Sequence, residues 1–174
     1  MQGYLNNPKK TSDTILIHSD GTLWLHSGDI GYMDSDGRVY PLDRADRMIK
    51  KGIDGFKMLP QHLEDAISSN PYVASCVVVG FNTKNRGVVA KAYIVLKEEI
   101  ENSEEILLSI KKTCSEKLSE RQIPDIFEFI NELPYTPMGK IDYKRLEKGL
   151  EDEEKTPIQQ ENKKSLVKSL FKRR

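Results

Sequence analysis

From Thr14 the chain alternates short apolar stretches with turn residues: Thr14-Ile-Leu-Ile-His18, then Ser19-Asp-Gly21, then Thr22-Leu-Trp-Leu-His26. Asp-Gly between two such runs predicts a hairpin, because glycine tolerates the positive φ that a tight turn requires. The pattern recurs at residues 30–33, 34–37 and 38–42, so two short antiparallel hairpins are expected. At Leu59 the period changes. Pro60 suits the first turn of a helix, and Leu63, Ala66 and Ile67 recur at helical spacing until Asn70-Pro71 stops it. Residues 73–81 and 88–96 read as two buried strands separated by a polar turn. Over 103–118, Ile106, Leu107, Ile110, Cys114 and Leu118 fall on one side of a helix that starts at Ser103, and Pro124 ends any continuation. Residues 126–130 alternate as a strand, 133–140 form a loop, and 142–150 form a short helix capped by Asp142. The expected order is hairpins, helix, strand, strand, helix, strand, loop, helix, an α+β arrangement.

Composition sharpens this picture at the ends of the chain. The 174 residues carry 27 Lys+Arg against 27 Asp+Glu, and only 37% are hydrophobic. With a mean hydropathy of -0.57, this predicts one modest domain plus segments that build no core. After Leu150 the chain turns polar, and residues 162–174 hold the cations Lys163, Lys164, Lys168, Lys172, Arg173 and Arg174 without an acid. This segment reads as a mobile tail. A second reading makes it a docking element for a membrane, nucleic acid or a partner, with Leu166, Val167, Leu170 and Phe171 as a small apolar stripe. Zero net charge otherwise removes the simplest argument for nucleic-acid binding, which needs a basic face. The apolar runs at 76–81 and 92–96 are far shorter than the roughly 20 residues of a bilayer-spanning helix. No charged segment followed by an apolar stretch opens the chain, so it reads as cytoplasmic. Cys76 and Cys114 lie in apolar segments without metal-ligand spacing, and read as buried thiols; no metal site is expected.

Three places could carry chemistry. Lys140 follows Thr136-Pro-Met-Gly139, where glycine lets the backbone turn and project a long cation; it could neutralise a reacting phosphate or carboxylate, or be an ordinary solvated lysine. Asp29, after Ser27-Gly28, could accept hydrogen bonds from vicinal hydroxyls, with Arg44 and Asp46 fifteen and seventeen residues on. Equally, Asp29 could be a turn former, and Arg44 could pair with Asp43 or Asp46 on a wet surface. The run Lys50-Lys-Gly-Ile-Asp-Gly-Phe-Lys57 sets glycines among cations before a helix, as a phosphate or narrow ligand path would, or as an exposed turn would.

Taken in order, Leu25-His-Ser-Gly-Asp-Ile-Gly-Tyr32, Asp36-Gly-Arg38, Asp43-Arg-Ala-Asp-Arg-Met-Ile-Lys50, Gly55-Phe-Lys-Met-Leu-Pro60 with Glu64, and Leu133-Pro-Tyr-Thr-Pro-Met-Gly-Lys140 resemble the final motif blocks of adenylate-forming enzymes. That superfamily comprises acyl-CoA synthetases, peptide-synthetase adenylation domains and luciferases. The resemblance runs from about Gly3 to Leu150. It implies that a carboxylate attacks the α-phosphate of ATP to give an acyl-adenylate, after which a thiol displaces AMP. ATP and Mg would serve the complete enzyme, with CoA as the thiol substrate and nothing held tightly by this chain. By resemblance, Asp29 and Arg44 bind the nucleotide, Lys140 bridges carboxylate and phosphate during adenylation, and Asp46 is the hinge about which the small domain rotates. Gly55 lines the pantetheine path, and Lys57 falls where some members carry an arginine near the phosphates.

Some positions depart from the pattern. Asp43 stands where the family usually has glycine, Ser27 replaces a common threonine, and the loop over 51–54 is slightly longer. The family's phosphate loop, its Tyr-Gly-x-Thr-Glu-like block and its acyl pocket have no counterpart in these residues. The chain is therefore expected to be a C-terminal portion, inactive without a large N-terminal domain as its partner. Residues 1–45 would be the last hairpins of that large domain, 46–150 the small mobile domain with a short mixed sheet packed with helices, and 151–174 a charged, disordered tail. Two further readings share these residues: an enzyme that loads a carrier protein instead of CoA, and a non-catalytic interaction module with a basic tail.

Overall fold

A computed structural model of the chain describes residues 1–83, 86–98, 100–101 and 103–149; the tail expected over 151–174 lies outside the described residues. The chain divides into two compact units, Met1–Met48 and Ile49–Arg174.

The first unit opens with α1 (Pro8–Thr14), which the hydrophobic pattern did not predict because its sequence, PKKTSDT, has no apolar stripe. Its signals are local: Pro8 stands in the first turn, and Asn7 caps the helix by accepting from the Lys10 backbone N–H at 3.0 Å. Two antiparallel hairpins follow, as expected. β1 (Ile15–Ile17) pairs with β2 (Leu23–Leu25), and β3 (Asp29–Met33) pairs with β4 (Val39–Arg44). The second turn is held by Asp34, whose Oδ1 accepts from the Asp36 and Arg38 backbone N–H groups. The Arg38 N–H foremost holds this carboxyl below its ordinary range, with the Tyr40 hydroxyl adding to the effect. A register shift between Ile30 and Gly31 brings the strands so close that a Cβ on Gly31 would lie 2.5 Å from the Tyr40 carbonyl oxygen, which only glycine avoids. No hydrophobic residue of this unit is buried, and Leu23, Trp24, Leu25, Met33 and Val39 are exposed. Alternation here marks strands that have no core of their own.

The second unit begins with a hairpin of β5 (Ile49–Lys51) and β6 (Phe56–Met58), then α2 (Pro60–Ser68). Its main sheet has the order β7 (Val73–Thr83), β8 (Gly87–Leu96), β9 (Ile126–Phe129). β8 is central, antiparallel to β7 and parallel to β9. A parallel neighbour requires a long crossover, and α3 (Glu104–Lys117), with Ser103 as its N-cap, lies within it. The chain closes with α4 (Tyr143–Lys148), capped by Asp142.

The period of two along β8 builds two cores. Ala90, Ala92 and Ile94 meet Leu63 and Ile67 of α2, Ile110 and Cys114 of α3, and Ile49 and Met58 of the small hairpin. Tyr93 belongs to the opposite cluster, with Val77, Val79, Ile130, Leu133 and Leu146. Leu63, Ile67 and Ile110 are fully buried, each worth about 1.5–3 kcal/mol of transfer free energy. Three buried polar groups join the elements. Asn70 stops α2 and also donates from Nδ2 to Ser109 and Thr113 on α3. Glu64 accepts from the Val78 backbone N–H at 2.9 Å, satisfying a donor on β7. Lys91 pairs with Glu128 at 2.7 Å, with its ammonium over the rings of Phe81 and Tyr93.

Candidate functional site

In the first unit the register of β3 and β4 sets Asp29 directly opposite Arg44. Arg44 Nη1 donates to Asp29 Oδ1 at 3.2 Å, and its Nε donates to Asp46 Oδ1 at 3.1 Å. The Asp46 hydrogen bond and charge, followed by the charge of Asp29, raise the Arg44 pKa above its ordinary value. Gly28 turns at φ +82°, and a Cβ there would come within 3.2 Å of Arg44 Nη2. Asp29, Arg44 and Asp46, which the sequence groups as one candidate place, thus form one cluster. All three side chains are at least half exposed, so carboxylate oxygens and guanidinium N–H groups face solvent, where a polyhydroxylated ligand can meet them. Of the two surface pairings considered for Arg44, its side chain makes the one to Asp46. Asp43 instead pairs with Arg47, at 3.1 Å and with its own side chain only 2% exposed. The sequence reading missed Arg47; its signal was the Asp-x-x-x-Arg spacing across Ala45–Arg47, a single 3-10 turn.

The run over 50–57 is a hairpin and not only a turn, with Lys50 opposite Lys57 and Ile49 and Met58 buried beside them. Gly55 sits at φ +63°, where a side chain is strained, yet a Cβ there would meet nothing within 4 Å. Its glycine therefore has a backbone reason within this unit. Lys57 is exposed. Lys51 pairs with Asp125 at 2.9 Å and donates to the carbonyls of Arg121 and Ile123. Asp54 pairs with Arg121, which holds the Asp54 carboxyl below its ordinary range. Arg121 also lies over the Phe56 ring, 4.3 Å from its centroid. Lys51, Gly52, Asp54, Phe56, Glu120 and Arg121 line a cavity of about 310 Å³. No local pattern announced Arg121 or Asp125, because both lie about seventy residues from the hairpin they clamp.

Lys140 closes a tight turn. The Gly139 N–H donates to the Thr136 carbonyl, the Thr136 N–H donates to the Lys140 carbonyl at 2.7 Å, and Tyr135 bridges Ile141 just outside. Gly139 supplies the required φ of +75°. The lysine is exposed, and its ammonium has no ion-pair partner among the described residues. It belongs to the second unit, whereas Asp29, Arg44 and Asp46 belong to the first.

Cys76 and Cys114 are held as neutral thiols. Desolvation pushes both thiols up to about 11. Among the described residues no group of three or more His, Cys, Asp or Glu converges on a metal position. Asp29 and Asp46 already share Arg44, so these residues do not fit a Mg²⁺ site of their own.

The last hairpin of one unit carries a solvent-facing carboxylate–guanidinium pair, and a small α+β unit carries an exposed lysine on a glycine turn. Residues 62–140 match the family model of the AMP-binding enzyme C-terminal domain. The chain is 36% identical over 152 residues to a 4-coumarate–CoA ligase of Oryza sativa subsp. japonica, covering 87% of this chain and 25% of that one. It is 35% identical over 146 residues to a long-chain-fatty-acid–CoA ligase of Bacillus subtilis, covering 84% of this chain and 24% of the other. Among solved structures, the anthranilate CoA ligase AuaEII in complex with anthranoyl-AMP matches with a TM-score of 0.69 at 33% identity, over 83% of this chain and 27% of that one. The chain belongs to the adenylate-forming superfamily and carries its AMP-binding C-terminal domain. It spans about a quarter of the length of the curated relatives it matches.

Proposed function

We propose that the chain is the C-terminal part of an AMP-forming carboxylate–CoA ligase, in which it presents one set of groups for acyl-adenylate formation and another for thioester formation. The observation that carries this reading is the Asp29–Arg44 pair set across one strand register, together with the exposed Lys140 on its glycine turn. Asp29 accepts from the ribose hydroxyls, and Arg44 donates to the nucleotide from the guanidinium that Asp29 and Asp46 orient. Lys140 places its ammonium between the substrate carboxylate and the α-phosphate, where negative charge must be neutralised as the two approach. Asp46 is the pivot, since a few dihedrals at an element boundary suffice to reorient a domain. Gly55 and Lys57, on the β5–β6 hairpin, border the path of the pantetheine thiol in the second step. Residues 1–45 complete a large ATP-binding domain, which supplies the phosphate-binding and acyl-binding groups; residues 46–150 form the mobile small domain, and the protein is cytoplasmic.

Carboxylate-dependent ATP–pyrophosphate exchange tests this reading. The chain alone is expected to show none, and the chain joined to a large ATP-binding domain is expected to catalyse it. Robust exchange by the 174-residue chain alone would overturn the assignment.

A further inference from the structure

We infer that Asp43 and Arg47 form a latch across the pivot at Asp46, and so act as positioning residues for Arg44; that Asp46 is a pivot rests on the function proposed above. β4 ends at Arg44, and Ala45–Arg47 is a single 3-10 turn. Asp43 Oδ1 accepts from the Arg44 backbone N–H at 2.7 Å and from Arg47 Nη1 at 3.1 Å. The two side chains are shielded, at 2% and 17% exposure. Arg44 and Asp46, paired beside them, stand at 52% and 72%. Water screens the exposed pair strongly and the shielded pair weakly, so the Asp43–Arg47 bond is the firmer of the two.

The latch follows from chain order. Rotation about the backbone of Asp46 moves residue 47 relative to residue 43, because the two lie on opposite sides of it. The Asp43–Arg47 bond spans the pivot and has to break before a large rotation. The Arg44–Asp46 bond ends on the pivot residue itself, so the direction of the Arg44 guanidinium is tied to the same dihedrals. The β3–β4 register keeps Arg44 opposite Asp29; while the latch holds, Asp46 also keeps its carboxylate on Arg44 Nε, and the guanidinium keeps Nη1 on Asp29. Release of the latch frees the pivot and the nucleotide-facing guanidinium together.

Amide hydrogen exchange on the 174-residue chain tests this, read at Ala45 and Met48, whose N–H groups donate to the Gly28 and Ala45 carbonyls within the latched segment. Asp43→Ala and Arg47→Gln are each expected to speed exchange there roughly tenfold, the scale of one lost charge-assisted bond. The double variant is expected to add little beyond the larger single effect, and Arg47→Lys, which keeps the cation, to stay within about threefold of the unaltered chain. Exchange at the paired amides of β3 and β4 remote from the turn, such as those of Tyr32 and Tyr40, should not change, which separates the latch from unfolding of the first unit. Unchanged exchange at 45 and 48 in both single variants, or fully additive effects in the double, would overturn the latch. No nucleotide takes part in this measurement, so its failure leaves the adenylation reading to stand or fall on pyrophosphate exchange.

Discussion

At the scale of single residues, burial decides which polar groups are chemically available. Asp29, Arg44 and Lys140 are exposed, whereas Cys76 and Cys114 are held as neutral thiols with pKa values up to about 11. Folding raises both values, so the linked stability is present below the ordinary thiol value of 9.0 and is lost as pH rises toward about 11. Alkylation by iodoacetamide at pH 8 is therefore expected to be at least roughly tenfold slower in the folded chain than in urea. Mass spectrometry of the modified thiols checks this, and equal rates in the two states would contradict the burial argument. The sequence grouping of Asp29, Arg44 and Asp46 matches their clustering at the end of β3 and β4, and the glycine before Lys140 matches its turn. Arg47, Arg121 and Asp125 were not legible in the sequence, since an ion-pair partner is chosen by the fold and leaves no periodic trace.

At the scale of elements, alternation and helical spacing did well wherever a segment buries a face. β7, β8, β9, α2 and α3 each lie within a residue or two of the pattern that predicts them. α1 escaped because it buries nothing and signals only through Asn7 and Pro8. The β5–β6 hairpin escaped because three-residue strands flank a glycine-rich turn, and its buried positions, Ile49 and Met58, are too few to show a period. Pattern also misleads about energetics in the first hairpins, whose apolar residues alternate but remain exposed. Ile110→Ala, at a fully buried position on α3, is expected to cost about 2–5 kcal/mol in urea unfolding. Leu25→Ala, at a position 58% exposed on β2, is expected to change stability by less than about 0.5 kcal/mol. Similar losses at both positions would mean that the first unit has a core comparable to the second.

At the scale of the whole molecule, the division at Met48 separates a core-forming unit from one without buried hydrophobic residues. The fragment 49–149 is expected to unfold in one cooperative transition with the midpoint of the full chain, as circular dichroism in urea will report. The same division gives the proposed chemistry its form: nucleotide-facing groups on one unit, the adenylation lysine and the thiol-path hairpin on the other, with Asp46 close to the boundary. The fold class and the order of motifs were readable from residues alone, whereas the lack of a core in the first unit emerged only from burial. The most direct test of the central claim is carboxylate-dependent ATP–pyrophosphate exchange by the chain joined to a large ATP-binding domain, with and without Lys140→Ala. The substitution is expected to lower exchange by a factor on the order of 10² or more while thioester formation from supplied acyl-adenylate persists; exchange at the unaltered rate would contradict the account.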